Sequence, residues 1–468
     1  MKREPALFPL IRRLLVSCPL SVLALPILAL LVLALLVPTL RAQQAAASSE
    51  TPSSPFSIKN TWILGGTGSW DYLTMDPAAE RLYIAHGRSV QVVDVKAGTL
   101  AGEISGLAEA HSIALDNTGE FGYISDGLAG KVVVFDRRTL QTVATIDGIP
   151  SPRALVFEPQ TGLLFAVRTD PVPAPRGPAV PRTTTHIAPR PAPPPAPPPK
   201  PNTVSSIAVI DTQTRKVVAQ ILLPETLGFA QADQRGNLFV NAPERNRILR
   251  FDAQTVASLL PTRTDGSADA DLSGNAPGSG NAPGAANVSD PAAAPASASA
   301  PARPEKQAAP RFIIDWTQRQ VRSFSLDGQC TTPKSLAVDS AHERLFAACA
   351  NMKLLVLNAD DGQLVATLPI GPGVDAIGYD PDRGLIYAAN GGADGSLTII
   401  SQSVADGYAV IQTLPTRQRA RTLAVNPETG QVYLVTDLLG VNLAPTGGIG
   451  SLQSNPVNGS FQVLVVGN

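Results

Sequence analysis

Cysteine, histidine and aromatic residues are scarce in this sequence of 468 residues, which has three Cys, four His and 5% aromatic side chains. Three thiols are too few for a disulfide-dense scaffold or for a zinc or iron–sulfur site built from four cysteines. The sequence also lacks the Gly-x-Ser-x-Gly, His-Glu-x-x-His, phosphate-loop and Cys-x-x-Cys motifs. We therefore expect no catalytic residue of a familiar type, no metal and no cofactor.

An excess of one charge is also absent, because 37 basic residues balance 38 acidic ones. Residues 1–42 hold five of the basic residues and one acid, so the remainder carries 32 basic and 37 acidic groups, a net charge of −5. A mildly acidic surface does not favour binding to a phosphate backbone, which needs a concentrated basic face. Nucleic acid is therefore not an expected partner.

The N-terminus has the pattern of an export signal. Lys2, Arg3, Arg12 and Arg13 precede an uncharged run at 14–40, and Ala42 stands before a polar stretch. The run is long enough to span a bilayer, so residues 1–42 are either a signal peptide cut near Ala42 or an uncleaved anchor. In both cases the rest of the chain is expected outside the cytoplasm, periplasmic or secreted. It touches a membrane only through 14–40, if that segment is uncleaved.

Three segments have the composition of disordered chain. Residues 43–57 form a polar leader, 171–202 contain 14 prolines, and 264–310 are rich in Ala, Gly, Ser and Pro. None of them offers an apolar face to bury. The rest of 58–468 is expected to form one folded domain.

A repeat becomes visible once these segments are set aside. A short apolar strand ends in an acid or Asn, and a turn and a Leu-Tyr or Leu-Phe strand follow. The strand-ending residues are Asp76, Asp116, Glu158, Asp233, Asp339, Asp380 and Asn426. Without the two inserts the period is about 40–45 residues, which is typical of a four-stranded propeller blade.

The fold class predicted from these seven copies is all-β, a seven-bladed β-propeller. The last copy lacks a fourth strand, and Thr61-Trp62-Ile63-Leu64 at the other end of the domain can supply it. An N-terminal strand that completes the last blade removes two open sheet edges. Asp and Asn also end most of the third strands, and we interpret them as caps of their own turns rather than as metal ligands.

The repeats resemble those of the YVTN-type (YncE-like) seven-bladed propeller proteins, which are extracytoplasmic. The resemblance covers about 58–468 apart from the inserts, and it depends on the segment 68–73, on the Leu-Tyr/Phe second strands and on the ending 461–468. It implies the fold and an exported location. It does not imply an activity, because propellers host binding modules and enzymes alike.

Candidate ligand-binding residues stand five positions before each strand-ending residue, where the innermost strand begins at the mouth of the central channel. Gly228 occupies the position in the fourth copy, and the others are Asp71, His111, Arg153, Lys334, Asp375 and Arg421. This collar is either a salt-bridged plug or a polar pocket whose cations bind carboxylate or phosphate. His86, Asp126, Arg168 and Asn390, which end second strands, are candidates for an outer rim.

Cys330 and Cys349 are the two cysteines that remain beyond residues 1–42. The repeat places Cys330 before the innermost strand of the fifth blade and Cys349 near the end of the antiparallel second strand, so both lie at the same face. An exported location permits oxidation. We therefore predict a structural disulfide, in preference to a redox-active pair.

Three functions are compatible with these features. The first is a monomeric, non-enzymatic module that binds a protein or a polar or anionic small molecule at the loop face and channel mouth. The second is a lactonase-type propeller, a hydrolase or isomerase of a sugar lactone, with His111, Asp71 and Arg153 as its acid–base set. The third is an accessory subunit of a periplasmic redox enzyme.

Overall fold

The computed structural model describes residues 55–66, 68–168, 172–173, 203–260, 313–315, 321–404, 406–442 and 453–468. The predicted signal segment, almost all of the leader and most of both inserts lie outside these residues. The compact unit is Phe56–Gly467, so it begins two residues before the start predicted from the sequence. No helix in the described part of the chain has the length and apolar character needed to cross a membrane.

The predicted seven-bladed β-propeller is confirmed. Blades 1, 2, 5 and 6 are each four consecutive antiparallel strands, which run in the following order from the innermost outwards: Trp70–Asp76, Arg81–His86, Ser89–Asp94 and Thr99–Ile104; Ala110–Leu115, Phe121–Asp126, Lys131–Asp136 and Thr142–Asp147; Pro333–Asp339, Arg344–Cys349, Lys353–Asn358 and Leu364–Pro369; Val374–Asp380, Leu385–Asn390, Ser396–Val404 and Gly407–Pro415. The innermost strands of successive blades contact one another, and those of blades 7 and 1 close the ring.

Blades 3 and 4 have the same order but are interrupted by the inserts. Their strands are Pro152–Glu158, Leu163–Arg168, Thr203–Asp211 and Lys216–Leu223 in blade 3, and Ala230–Ala232, Asn237–Ala242, Arg247–Asp252 and Val321–Ser325 in blade 4. Val172–Pro173, within the first insert, pairs with the start of the third strand of blade 3. Ile313–Asp315, which follows the second insert, adds a parallel fifth strand to the outer edge of the same blade. A helix, Ala253–Leu259, follows the third strand of blade 4. The sequence indicated neither the added strands nor the helix.

Blade 7 is completed by the N-terminal strand, as predicted. Its strands are Thr422–Asn426, Gln431–Thr436, Gln462–Gly467 and Ser57–Ile63, and a hairpin of Leu439–Asn442 and Gln453–Pro456 lies between the second and third. The amide of Gln412 in blade 6 hydrogen-bonds both the N–H and the C=O of Phe56, at 2.9 and 2.8 Å. The Phe56 side chain is buried in the apolar cluster between blades 6 and 7.

The core consists of apolar clusters between neighbouring blades, one at each of the seven junctions in the described part of the chain. Each blade stands radially, so its second and third strands are covered on both faces. This explains why they are continuous apolar runs such as Lys131–Asp136, whose four central residues are all buried. Only the outer strands show the exposure of a half-covered sheet.

The acids that end the innermost strands cap their own turns, at the face opposite the channel mouth. In every blade a side-chain oxygen of the strand-ending residue accepts a hydrogen bond from a backbone N–H two to five positions later. The acids and Asn that end the third strands do the same, which confirms the turn-cap interpretation. Arg137 of blade 2 adds a link between blades, because its guanidinium pairs with Asp76 of blade 1 and with Asp116.

The predicted disulfide between Cys330 and Cys349 is present. Cys349 ends the second strand of blade 5 and pairs with Pro333, the first residue of the innermost strand. Cys330 lies three residues before Pro333, and the two Cα atoms are 5.4 Å apart. The bond therefore fixes the loop that leads into the channel mouth.

Candidate binding site at the channel mouth

Backbone bulges determine where the predicted collar residues lie. In blades 1, 2, 3, 5 and 6 the register between the innermost and second strands shifts at the collar position. Arg153, Lys334 and Asp375 are extra residues with no partner on the second strand. A bulge turns such a side chain out of the regular alternation of the sheet. The bulges thus present polar groups at a point where a regular strand would direct them between blades.

Electrostatic coupling joins the collar into one cluster. The guanidinium of Arg421 lies 3.3 Å from the carboxylate of Asp375 (Nε to Oδ2), with 48% and 40% of the two side chains exposed. Lys334 and Asp71 also act on Asp375. The mouth therefore brings together blades 1, 5, 6 and 7, although their collar residues are up to 350 positions apart in sequence.

The pKa of the Asp375 carboxyl is raised above its ordinary value. Enclosure by protein is the largest cause, and the negative charge of Asp71 adds to it, whereas Arg421 and Lys334 oppose it. The side chain still keeps 40% of its surface accessible because the mouth is open to water. The protonation of Asp375 therefore depends on the charge of any group that binds beside it.

His111 does not face the open channel. Its side chain is only 5% exposed, its Nδ1 lies 2.8 Å from Oδ2 of Asp71, and its Nε2 lies 3.2 Å from Oε2 of Glu109. The second contact lacks hydrogen-bond geometry. A Cβ at Gly127 would approach the imidazole ring to 2.6 Å, so a glycine is required there. His111 therefore holds Asp71 in place.

Lys334 is an accessible cation of the collar. It is exposed, and among the residues that the structure describes it forms no hydrogen bond or ion pair. Arg153 is half-buried and acts electrostatically on the hydroxyl of Tyr72, as does Arg421. Gly228 contributes no side chain, and blade 4 instead begins its short innermost strand at Ala230.

An aromatic pair at the centre of the ring was not predicted from the sequence. The rings of Tyr72 in blade 1 and Phe229 in blade 4 lie 5.3 Å apart, tilted by 54°. Blades 1 and 4 are not neighbours, so their innermost strands meet only across the central axis. Both residues stand four positions before the strand-ending acid, where the other blades have Ser112, Ala154, Ser335, Ala376 and Thr422. Two large residues among five small ones were a signal that the sequence contained.

The hydroxyl of Tyr72 remains protonated at any physiological pH. Burial raises its pKa well above the ordinary range, and the charges of Asp71 and Asp375 act in the same direction, while Arg153 and Arg421 oppose them. A neutral phenol donates a hydrogen bond and does not repel an anion. The floor of the mouth is thus aromatic and uncharged, and the collar above it is charged.

The predicted outer rim is wrong for three of its four members. His86, Asp126 and Asn390 are 4%, 0% and 1% exposed, so they are not available to a ligand. His86 stacks on Phe461 at 4.0 Å, and burial lowers its pKa. Asp126 accepts the N–H groups of Ala108 and Glu109, and Asn390 donates to Thr398. Ends of second strands are covered here by the loops that follow them.

No group of three or more His, Cys, Asp or Glu side chains is arranged to hold a metal ion within the residues described by the structure. Around the ring, the charged groups of blades 5, 6, 7 and 1, which are Lys334, Asp375, Arg421 and Asp71, alternate in sign. Such an arrangement is suited to hydrogen-bonding a polar molecule, with cations for its acidic groups and carboxylates for its donors.

Comparisons with known proteins identify the fold and nothing narrower. No protein-family model and no curated protein matches the chain. Solved structures do, among them the WD40 repeats of RRP9 (TM-score 0.55, 8% identity, covering 89% of this chain and 99% of that one). U3-55K is similar, with a TM-score of 0.54, 9% identity and coverage of 86% and 97%. A chain of the mitotic checkpoint complex has a TM-score of 0.52, 12% identity and coverage of 83% and 91%. At such identities the likeness concerns the propeller fold alone.

Proposed function

We propose that this protein is an exported, non-enzymatic binding module, which engages a polar or anionic ligand, or an anionic group of a partner, at the channel mouth. The observation that carries the proposal is the convergence of charged side chains at the starts of the innermost strands around the axis. The export pattern of residues 1–42 supports the location, and the likeness to propellers from protein complexes is compatible with a partner.

The sign of the ligand follows from the charges that surround it. Among the collar positions, Arg153, Lys334 and Arg421 give three positive charges against two negative charges from Asp71 and Asp375. Lys334 is exposed and Arg421 shares its charge with Asp375 at 3.3 Å. A carboxylate or phosphate that bridges these two cations forms charge-assisted hydrogen bonds, each worth about 1.5–3 kcal/mol.

Calorimetric titration with inorganic phosphate and with succinate tests this proposal. We expect Lys334→Ala to raise Kd about tenfold, since the loss of about 1.4 kcal/mol corresponds to a factor of ten. Arg421→Ala is expected to weaken binding at least as much, because it removes a cation and also leaves the carboxylate of Asp375 without its partner. Lys216→Ala removes an exposed lysine from the outer strand of blade 3 and is the matched control. Equal affinities for the parent, Lys334→Ala and Lys216→Ala would contradict an anion site at the mouth.

The lactonase-type alternative depends on the hydrogen bond between Asp71 and His111. A general base must reach the proton that it removes, directly or through one water. His111 is 5% exposed, and its second nitrogen lies 3.2 Å from a carboxylate oxygen of Glu109, so this geometry supports binding better than catalysis. Turnover of a sugar lactone by the parent protein, lost in His111→Gln, would favour the enzyme instead.

A further inference from the structure

The channel mouth combines cations, carboxylates and an aromatic pair. Cations and carboxylates form the collar, and Tyr72 lies next to Asp71 on the same strand, so the aromatic pair is about one residue, roughly 3.3 Å, further along the axis. Tyr72 and Phe229 are half-buried, so part of each residue remains accessible. The mouth is a cup with charged walls and an aromatic floor.

The floor gives the ligand a second requirement besides an acidic group. An accessible aromatic surface at the centre of a charged collar is favourably covered by the apolar face of a ring. The equivalent residues of the other five blades are small and buried, so Tyr72 and Phe229 are the side chains at this position that a ligand can reach. An anion without a ring would leave this surface in water.

The two carboxylates distinguish between kinds of ring. A simple aromatic acid has no hydrogen-bond donor for Asp71 and Asp375 and would bring only its own negative charge towards them. Ionised carboxylates accept hydrogen bonds and donate none, so they fit a ligand that carries hydroxyl groups beside its acid. Arg153, Lys334 and Arg421 then take the acidic group.

From these groups, and resting on the proposed function, we propose that the ligand is an acidic sugar: a pyranose ring that carries a carboxylate or a phosphate. Its C–H face packs on Tyr72 and Phe229. Its hydroxyls donate to Asp71 and Asp375, and its acidic group binds Lys334 and the neighbouring arginines. Tyr72 is uncharged at physiological pH, so it contacts the sugar ring without repelling the acidic group.

The test compares glucuronate, glucose 6-phosphate, glucose, benzoate and succinate as ligands of the full chain, by calorimetry and by saturation-transfer NMR. We expect glucuronate or glucose 6-phosphate to bind at least tenfold more tightly than succinate, glucose and benzoate. Tyr72→Leu is expected to weaken binding of the acidic sugar about tenfold and to leave succinate unchanged. Tyr72→Phe keeps the ring and is the folded control with affinity close to that of the parent.

A second variant tests the role of the carboxylates. Asp375→Asn is expected to reduce the preference for glucuronate over benzoate at least threefold, because the amide is a weaker acceptor and no longer repels the aromatic acid. Equal binding of succinate and glucuronate would refute ring recognition but leave the anion site. Benzoate that binds as tightly as glucuronate would show that the ring is aromatic and overturn the proposal. Failure of every anion to bind would remove the proposed function as well.

Discussion

The disulfide of blade 5 permits a stability prediction with a defined magnitude. Cys330 and Cys349 are 2% and 0% exposed and are separated by 19 residues. In the chain-entropy model a cross-link that closes a loop of this size destabilises the unfolded chain by about 3 kcal/mol. Replacement of both cysteines by alanine should therefore lower the free energy of unfolding by about that amount, with a small further loss from packing.

The folded loop should persist without the bond, because backbone hydrogen bonds hold it independently. Cys330 donates its N–H to the carbonyl of Leu326, Ala350 donates to Thr331, and Thr332 donates to the side chain of Asn246, all at 2.9 Å. Most of the effect is thus expected in the unfolded state, and anion affinity at Lys334 should change less than twofold. A Cys→Ser pair should be less stable than the alanine pair, since it buries two hydroxyls among apolar side chains.

Thermal unfolding of the parent and of the alanine pair, each with and without a phosphine reductant, measures the effect. A change of 1 kcal/mol shifts the Tm of a domain of 150–250 residues by about 2–4 °C, and less for a larger one, so we expect a fall of roughly 4 °C. The reductant should lower the Tm of the parent to that of the variant and leave the variant unchanged. Two free thiols in the denatured, unreduced parent without residues 1–42 would refute the cross-link, and an unchanged Tm would refute the loop-closure argument.

Three further predictions concern charge and closure. The pKa of Asp375 in the folded protein is raised above the ordinary 3.8, so its contribution to stability should fall as pH rises from about 4 through the folded pKa, and sulfate affinity should rise as pH falls through it. Asp375→Asn, titrated in parallel, should remove the Asp375 part of both trends. A parent protein that shows neither trend would contradict the raised pKa. Phe56→Ala should cost about 3–5 kcal/mol in denaturant unfolding, because it empties a site between blades 6 and 7 that is 6% exposed; a loss below 1 kcal/mol would mean that the strand closes the ring without this anchor. Arg137→Ala should lower the free energy of unfolding by about 3–5 kcal/mol, because it leaves buried Asp76 without its partner. The exposed neighbour Arg138 is the control, and its replacement by alanine should change stability by no more than about 0.5 kcal/mol. Equal effects of the two substitutions would refute the role of the ion pair.

The sequence determined the features that depend on spacing along the chain. A period of about 40–45 residues with four strands per copy specifies the blade, and a last copy without its fourth strand specifies the closure by Ser57–Ile63. The disulfide follows from register, because the repeat places Cys330 and Cys349 at one end of the same antiparallel pair. Turn caps such as Asp94 are local, since donor and acceptor lie two or three residues apart.

The tertiary structure alone decided which collar residues meet and how each is used. Ring closure brings Arg421 to Asp375 and the ring of Tyr72 to that of Phe229, 157 positions away in sequence, and no local pattern specifies a contact across the axis. Burial made His111 a support for Asp71 rather than part of the open mouth, because Glu109 and Gly127 enclose it. The bulges that aim Lys334 and Asp375 are irregularities of pairing between two strands, so they depend on the second strand as much as on the first.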